Sequence, residues 1–288
     1  MHTFKNNLKT ALLMGAMFGL VILVGSFWGK TGLIMALVFG GLMNIVAWFF
    51  SDKIAIAAMQ GRQVDASTAP DLYNMVDRLR QRAGLPMPKV YVCPHDAPNA
   101  FATGRSPSKA AVAVTQGLIR LVDQRELEGV IAHELAHIKH RDTLTSCIAA
   151  TIAGTLATIA QFFFFFGGGG NNREGGHPLL GLLTVIIAAV GAALIQAMIS
   201  RTREFAADAE GAIIAGTPVG LAGALHKLDM YSRRIPLIQP NPAANNLFII
   251  EPFGGGSLRN IFATHPPVEA RIAALEKLWE AQEARGTQ

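Results

Sequence analysis

Four long apolar runs dominate the hydrophobic pattern of the chain. They cover residues 11–28, 33–50, 148–166 and 178–199, and none contains a charged side chain. Runs of about 18 or more apolar residues are long enough to cross a bilayer as helices. The pattern therefore predicts four transmembrane helices in two hairpins, one within residues 1–50 and one within 143–199. Buried helices of a soluble core are the alternative interpretation of the third and fourth runs.

Two polar segments, residues 51–142 and 200–288, make up the rest of the chain. Apolar residues three and four apart indicate helices, whereas β-branched and aromatic runs indicate strands. The predicted elements are helices at 70–82, 125–141 and 267–285, strands at 89–93, 99–104 and 110–115, and a hairpin loop at 105–109. The predicted fold class is an α+β membrane protein, in which four transmembrane helices carry one folded domain built from the two polar segments.

Composition and charge favour the same class. Hydrophobic residues make up 51% of the chain and charged residues 16%, against about 25% charged in average globular chains. The net charge is +5, but Lys and Arg form no single stripe, so nucleic acid is not an expected partner. The two short turns contain one basic residue each, Lys30 and Arg173, while Lys5 and Lys9 precede the first run. The positive-inside rule and the even number of runs place both termini and both polar segments in the cytoplasm.

The candidate chemistry lies in the predicted helix at 125–141, which contains the HExxH pattern His133–His137. Positions i and i+4 share one helix face, so His133 and His137 can both bind one zinc ion. Glu134 projects beside that ion, where it can accept a proton from a water molecule that the ion has made acidic. The prediction is one Zn²⁺ per chain with Glu134 as catalytic base. Cobalt or manganese suits the same ligands, and two surface histidines beside a solvated glutamate are the alternative.

A catalytic zinc site needs a third protein ligand. His140 lies off the shared helix face, and Thr143 stands where a metzincin helix has its third histidine. Glu204 and Asp208 form an ExxxD pattern just after the fourth apolar run, whereas the HExxH pattern lies just before the third. If these runs form a hairpin, both patterns emerge at one membrane face. This placement favours Glu204 as a ligand and Asp208 as acceptor of a histidine ring N–H, with a solvated helix face as the alternative.

Four motifs in order resemble those of the HtpX family of bacterial membrane heat-shock proteases, in a peptidase family that also includes the CAAX prenyl proteases. They are Asn99–Gly104 (NAFATG), His133–His137 (HELAH), Ser200–Asp208 (SRTREFAAD) and Thr264–Pro267 (THPP). The resemblance covers nearly the whole chain. It implies a zincin-like cytoplasmic domain on the bacterial inner membrane and an endopeptidase that clears damaged or misfolded membrane proteins. It also implies Glu204 as third ligand and Asp208 behind the metal site.

The resemblance assigns roles to further residues. The strand of Asn99, Ala100, Phe101, Ala102, Thr103 and Gly104 would form the edge of the active-site cleft, where an extended substrate can pair with it; an ordinary hairpin strand is the alternative. His265 would stabilise the oxyanion of the reaction intermediate, or cap or pack a loop. Arg201 and Arg203 would position Glu204 or substrate, or anchor the chain at the membrane surface. Prenylated substrates are not expected, because the prenyl proteases have more spans.

Two other functions compete with proteolysis. A membrane scaffold or assembly factor would keep the motif as a structural zinc site, but zinc retention does not need Glu134. A transporter or channel usually carries ionisable residues within its spans, whereas the polar residues of these runs are Asn44, Gln161, Gln196 and some Ser and Thr. The predicted function is a zinc endopeptidase acting at a lipid bilayer on membrane-protein or unfolded polypeptide substrates. Neither the oligomeric state nor the cleavage site has a signature in the sequence.

Overall fold

The computed structural model describes residues 55–142, 203–234 and 266–286, with the isolated positions 30, 34, 38, 42, 49, 50 and 53. Within these residues, no helix is both long and apolar enough to cross a membrane. The four predicted spans lie outside the described residues, apart from isolated positions in the second. The predicted division of the chain into two hairpins and two polar segments therefore stays a prediction.

A mixed sheet of four strands forms one layer of the described domain. The strands are β1 (Arg62–Val64), β2 (Lys89–Cys93), β3 (Ala100–Thr103) and β4 (Ala111–Thr115), in the order β1-β2-β4-β3. β2 and β4 are parallel, whereas β1 is antiparallel to β2 and β3 is antiparallel to β4. Among the described residues β3 is thus an edge strand. It forms with β4 the hairpin that the sequence predicts.

Side chains alternate between the two faces of the sheet, as the period of two in a strand requires. Ala100, Val112 and Val114 face the main hydrophobic core, which the helices complete. Phe101 and Cys93 face the other way, into a smaller apolar cluster with Ala55, Ile56 and Met59, which lie at the end of a helical segment. The side of the sheet that faces the helices is therefore lined by small and β-branched residues, which allows a helix to pack closely beneath β3.

The helices of the described residues complete a mixed α+β fold. They are α1 (Pro70–Ala83), α2 (Gln116–Leu121), α3 (Gln124–His140), α4 (residues 203–215), α5 (Val219–Arg234) and α6 (Val268–Gly286). α3 lies against β3 and α1, α5 packs on α3, and α6 packs on α5. α1, α3 and α6 begin and end within one residue of the predicted helices. β1 and α2 were not predicted.

Three local features fix the position of α3. A capping box begins the helix: the Asp123 side chain accepts from the Glu126 N–H at 2.9 Å, and the Glu126 carboxylate accepts from the Asp123 N–H at 2.8 Å. Gly129 lies where α5 crosses, since a Cβ there would come 2.4 Å from the Leu221 nitrogen. Arg141 ends the helix in the left-handed conformation, with φ of 60°. The helix that carries HExxH is thus held at its start, middle and end.

Candidate active site

α3 presents His133 and His137 on one face, one turn apart. Their Nε2 atoms are 3.1 Å apart, and the rings meet edge to face at 85°. The His133 side chain is 2% exposed and that of His137 is 15% exposed. The two imidazoles therefore converge on one point, as the i, i+4 spacing predicts.

Glu204 reaches the same point from α4. The buried stripe of α4 repeats at helical spacing and faces α3; it consists of Glu204, Ala207, Asp208, Gly211 and Ala212. A Cβ at Gly211 would come 3.0 Å from His133 Cα, so the two backbones are in close contact there. Glu204 then places Oε2 at 3.6 Å from His133 Nε2 and Oε1 at 3.5 Å from His137 Nε2.

These three side chains fit a metal ion. Their candidate ligand atoms lie within 4.8 Å of one another. A tetrahedral ion with bonds of about 2.0–2.1 Å, the lengths of Zn–N and Zn–O bonds, holds its ligand atoms roughly 3.4 Å apart. The three distances above are close to this value. His140 instead lies 3.9 Å from Glu210 and does not join the group. Three protein ligands leave a fourth position open, as a catalytic site requires.

Each histidine has a carboxylate at its other ring nitrogen. Asp208 Oδ1 lies 3.0 Å from His133 Nδ1 in a bent approach, and Asp142 Oδ2 lies 3.1 Å from His137 Nδ1. Carboxylates at these places favour protons on the Nδ1 atoms and leave both Nε2 atoms as acceptors. Two acceptor lone pairs 3.1 Å apart repel each other unless a proton or a metal ion lies between them.

The charges of the site point to a cation as well. Its four buried carboxylates, each 5% exposed or less, are Glu134, Asp142, Glu204 and Asp208. The guanidinium groups beside them are those of Arg203 and Arg271. A divalent ion held by His133, His137 and Glu204 would offset part of this negative charge.

The pKa of His137 reflects the same surroundings. Burial lowers this pKa, but the hydrogen bond to Asp142 and the negative charges of Glu204 and Glu134 outweigh burial and raise it to about 9. The site therefore stabilises a positive charge at the paired imidazole nitrogens, whether a proton or a metal ion carries it.

Arg271 on α6 is completely buried and links two of the acidic groups. Its Nε and Nη2 donate to the two Asp208 oxygens at 2.9 and 2.6 Å, and its Nη1 lies 3.3 Å from Glu204 Oε2. Burial raises the pKa of Asp208, but the charge and hydrogen bonds of Arg271 outweigh burial and hold this pKa below its ordinary value. Arg271 thus keeps Asp208 ionised, which allows Asp208 to orient His133.

Glu134 lies beside the histidines and is 5% exposed. Burial raises its pKa, while His133 and His137 partly offset that rise. The backbone N–H of Ala102 on β3 donates a hydrogen bond to the Glu134 carboxylate. A carboxylate with a raised pKa is a stronger base than a solvated one, and this suits Glu134 to proton transfer.

The predicted substrate strand lies directly beside this carboxylate. Most of its side chains are buried, namely those of Asn99, Ala100, Phe101 and Thr103, together with Gly104, while Ala102 is partly exposed. Phe101 faces away from the metal group, on the other side of the sheet. Gly104 closes the hairpin with φ of 118°, and a Cβ there would come 2.4 Å from the Lys109 carbonyl oxygen. Most side chains of this strand are therefore packed inside the protein, and Ala102 is the partly exposed residue among them.

Two predicted residues fall outside the described part of the chain, and two residues of the site were not predicted. His265 and Arg201 are outside the described residues. The Arg203 side chain is 12% exposed and approaches Asp142 to 4.0 Å, so it faces the site. Sequence analysis missed Asp142 and Arg271. Arg271 could have been found from the sequence, because a charged residue on the apolar stripe of an amphipathic helix indicates a buried charge.

A buried helix with two histidines and an adjacent glutamate, a second glutamate reaching them from another helix, and an edge strand alongside are the arrangement of a metallopeptidase. The sequence model of peptidase family M48 matches residues 66–279, and the chain belongs to this family. It is therefore a metalloprotease, a hydrolase of peptide bonds. Membership of this family implies a metal ion. His133, His137 and Glu204 form a group that could bind it.

Curated relatives agree with the resemblance drawn from the four motifs, which is thereby confirmed. The chain is 48% identical over 276 residues to the protease HtpX homolog of Desulforapulum autotrophicum, covering 94% of this chain and 89% of the relative. It is 49% identical over 279 residues to that of Pelotomaculum thermopropionicum, covering 95% and 99%. The crystal structure of S. mikatae Ste24p matches with a TM-score of 0.54 at 16% identity, covering 95% of this chain and 66% of that one. That match shows a shared fold.

Proposed function

We propose that this chain is a zinc endopeptidase of the bacterial cytoplasmic membrane that hydrolyses damaged or misfolded membrane proteins. The observation that carries the proposal is the convergence of His133, His137 and Glu204 at spacings that suit a tetrahedral ion, with Glu134 alongside. Two imidazoles and one carboxylate with an open fourth position are a donor set that favours zinc. One zinc ion per chain would fill the site.

The residues of the chain divide the chemistry among them. A zinc ion bound here supplies a Lewis acid that polarises the scissile carbonyl and makes a neighbouring water more acidic. Glu134 accepts a proton from the attacking water and passes it to the leaving amine. Because burial raises its pKa, Glu134 is a stronger base than a solvated carboxylate. Asp208 and Asp142 keep the two histidine rings in the orientation that ligation needs.

The edge of β3 supports extended polypeptides as substrates. Within the described residues, β3 pairs with β4 on one side and with no strand on the other. A peptide that adds there as a further strand is held by main-chain hydrogen bonds, which demand no particular side chain. The strand lies next to Glu134, so the scissile bond of such a peptide would lie near the base. This mode of binding suits unfolded segments of many different sequences. His265, proposed from resemblance, would stabilise the oxyanion.

The test of catalysis pairs metal analysis with cleavage of casein by the full chain in detergent. Glu134→Gln should retain one zinc per chain and lose cleavage by at least about 100-fold, because proton transfer by a positioned base contributes roughly that much. Glu128→Gln is the matched control, since Glu128 is on the same helix, partly exposed and 3.8 Å from Arg82. It should leave both readouts unchanged.

Other outcomes separate the proposal from its alternative. Unchanged cleavage by Glu134→Gln would show that this residue is not the base. Zinc in the wild type without cleavage of casein or of a destabilised membrane protein would favour the scaffold, for which the metal is structural. A wild type that retains no zinc after purification in chelator-free buffer would contradict the metal assignment itself.

The membrane part of the proposal rests on the four apolar runs and on the resemblance to membrane heat-shock proteases. Single cysteines test it with a membrane-impermeant maleimide on intact spheroplasts. Lys30→Cys and Arg173→Cys, in the two short turns, should react from outside. Ser108→Cys, exposed in the β3–β4 hairpin, should react only after permeabilisation. The reverse pattern would place the catalytic domain on the outer side.

A further inference from the structure

The second histidine of HExxH is held by a residue beyond the end of its own helix. Asp142 Oδ2 lies 3.1 Å from His137 Nδ1, and the Asp142 side chain is 3% exposed. Nothing in the HExxH or ExxxD patterns includes this position. The hydrogen bond places the ring proton on Nδ1 and turns Nε2 towards His133 and Glu204.

The backbone explains how Asp142 reaches back to His137. α3 ends at Arg141, whose left-handed conformation (φ 60°) reverses the direction of the chain, and the Arg141 N–H bonds to the carbonyls of His137 and Ile138. The next residue therefore points along the last turn of the helix instead of continuing away from it. The Asp142 carboxylate meets the ring of His137 as a consequence.

Arg203 approaches the same carboxylate from α4. Its Nε lies 4.0 Å from Asp142 Oδ1, and it directly precedes the third ligand Glu204. The arrangement is a wider-spaced counterpart of the one on the other histidine, where Arg271 donates two hydrogen bonds to Asp208 and Asp208 faces His133. Each imidazole thus has an aspartate behind it and a guanidinium behind the aspartate.

We infer that Asp142 is a positioning residue for His137, and that Arg203 anchors Asp142, so that this pair joins the two sides of the metal site. The inference rests on the proposed zinc site. Asp142 and Arg203 are also the described residues on either side of residues 143–202. The contact between them therefore brings the two ends of that segment together at a ligand of the metal.

The inference is tested by zinc affinity, measured by competition with a chromophoric chelator on the full chain in detergent. Asp142→Asn should weaken zinc binding by about 10- to 100-fold, the usual loss when the partner of a ligating histidine is changed. The oxygen of the neutral amide accepts a weaker hydrogen bond from the ring N–H than the carboxylate does, and the amide can also turn its NH₂ towards the ring. Asp142→Glu should recover part of the loss. Arg203→Gln should weaken binding less than Asp142→Asn, and Arg203→Lys less still.

Glu210→Gln is the matched control. Glu210 joins the same two helices through a 2.6 Å ion pair with Lys139, but it reaches no proposed ligand. If bracing of the helices were all that mattered, this variant would lose zinc as well. The absorption spectrum of the cobalt-substituted protein supplies a second readout, because it reports the geometry of the ligands without any need for turnover. Asp142→Asn should change that spectrum, and Glu210→Gln should not.

The outcomes are distinct. Zinc affinity and cobalt spectrum equal to wild type in Asp142→Asn would overturn the inference while leaving the proposed function in place. A wild type that binds no zinc would overturn the proposed function and this inference with it. If Asp142→Asn does not accumulate as a folded protein, Arg203→Gln and Arg203→Lys carry the test, and unchanged affinity in both would overturn the inference. Effects of Asp142→Asn and Arg203→Gln that do not simply add in the double variant would support the coupling of the pair.

Discussion

Arg271 and Asp208 form a buried ion pair with two hydrogen bonds, of 2.9 and 2.6 Å, one to each carboxylate oxygen. The pair joins α6 to α4 behind His133. Asp208 therefore arrives at the histidine already fixed in orientation, because both of its oxygens are engaged by a planar guanidinium. The C-terminal described helix thereby takes part in the metal site although it provides no ligand to it.

Replacing Arg271 tests how much its ion pair with Asp208 contributes to the free energy of unfolding. Arg271→Met leaves Asp208 and Glu204 buried beside each other without their cation, so we expect a loss of about 3–5 kcal/mol in the free energy of unfolding. A melting temperature lower by roughly 10 °C would correspond to that loss. Arg271→Lys keeps the charge but not the two-point contact, and should lose less. Thermal unfolding in detergent with zinc removed gives the measurement.

Arg80 provides the comparison for that experiment. Its ion pair with Asp77 is partly exposed, with side chains 29% and 35% accessible. Arg80→Met should therefore change stability by no more than about 1 kcal/mol. Equal losses in Arg271→Met and Arg80→Met would mean that the buried pair has no special role.

Gly211 is expected to control the geometry of the metal site. In Gly211→Ala the new Cβ would meet His133 Cα at 3.0 Å, so α4 must move away by a few tenths of an ångström. Glu204 is two turns from Gly211 on the same face and should move with α4. We expect weaker zinc binding and a changed cobalt spectrum, with only a modest fall in melting temperature.

Gly61→Ala is the control for the glycine prediction. Its Cβ would meet the Ile56 side chain at the same distance of 3.0 Å, but Ile56 belongs to neither α3 nor α4. This variant should bind zinc as tightly as wild type. Identical zinc affinities in Gly211→Ala and wild type would show that the helix crossing tolerates a methyl group without moving the ligand.

Removal of the metal should destabilise the domain. A ligand that binds only the folded state stabilises it by about 2.7 kcal/mol at one hundred times its dissociation constant. Excess EDTA should therefore lower the melting temperature, whereas EDTA already saturated with zinc should not. Glu204→Gln should respond less to EDTA than wild type, because it binds the ion more weakly. An unchanged melting temperature on chelation in the wild type would contradict a metal site within the folded domain.

Cys93 should be inert to alkylation in the folded protein. Burial raises the pKa of its thiol to about 11, and the residue is inaccessible to solvent. A raised pKa means that the reactive thiolate forms only as the pH rises towards 11, so about one molecule in a thousand carries it at pH 8. Peptide mapping after iodoacetamide treatment should find Cys93 unmodified in native protein and modified in urea. Rapid native labelling at pH 8 would contradict the burial of this thiol.

The elements predicted well from sequence are those with strong local patterns. β2 matches the predicted strand at 89–93, and α3 lies within one residue of the predicted helix, because β-branched runs and helical spacing leave few alternatives. β1 was missed because three residues hold too little pattern to indicate a strand. α2 was missed because its six residues follow β4 without a break, and only the Thr115 side chain, accepting from the Leu118 N–H, marks its start.

The residues of the candidate site also differ in how far a local pattern predicts them. HExxH is a local pattern on one helix, so the convergence of His133 and His137 followed from helical geometry alone. The approach of Glu204 depended on tertiary structure and was argued from its place in the chain. Arg271 is 63 residues from Asp208, and no local pattern connects them. The contact of Asp142 with His137 depends on the left-handed conformation of Arg141. A glycine at that position would have indicated such a conformation in the sequence, whereas an arginine does not.

The candidate site is built from three distant stretches of chain, and this sets the order in which its parts are made. α3 is synthesised first, α4 follows more than 60 residues later, and the helix with Arg271 comes later again. Contacts between such remote stretches form late, since long loops must close before they can stabilise anything. A growing polypeptide therefore holds its two histidines, with Asp142 beside His137, before Glu204, Asp208 and Arg271 have been made. The group that could hold the metal, and the residues behind it, come together only after the last described helix has been synthesised and has packed.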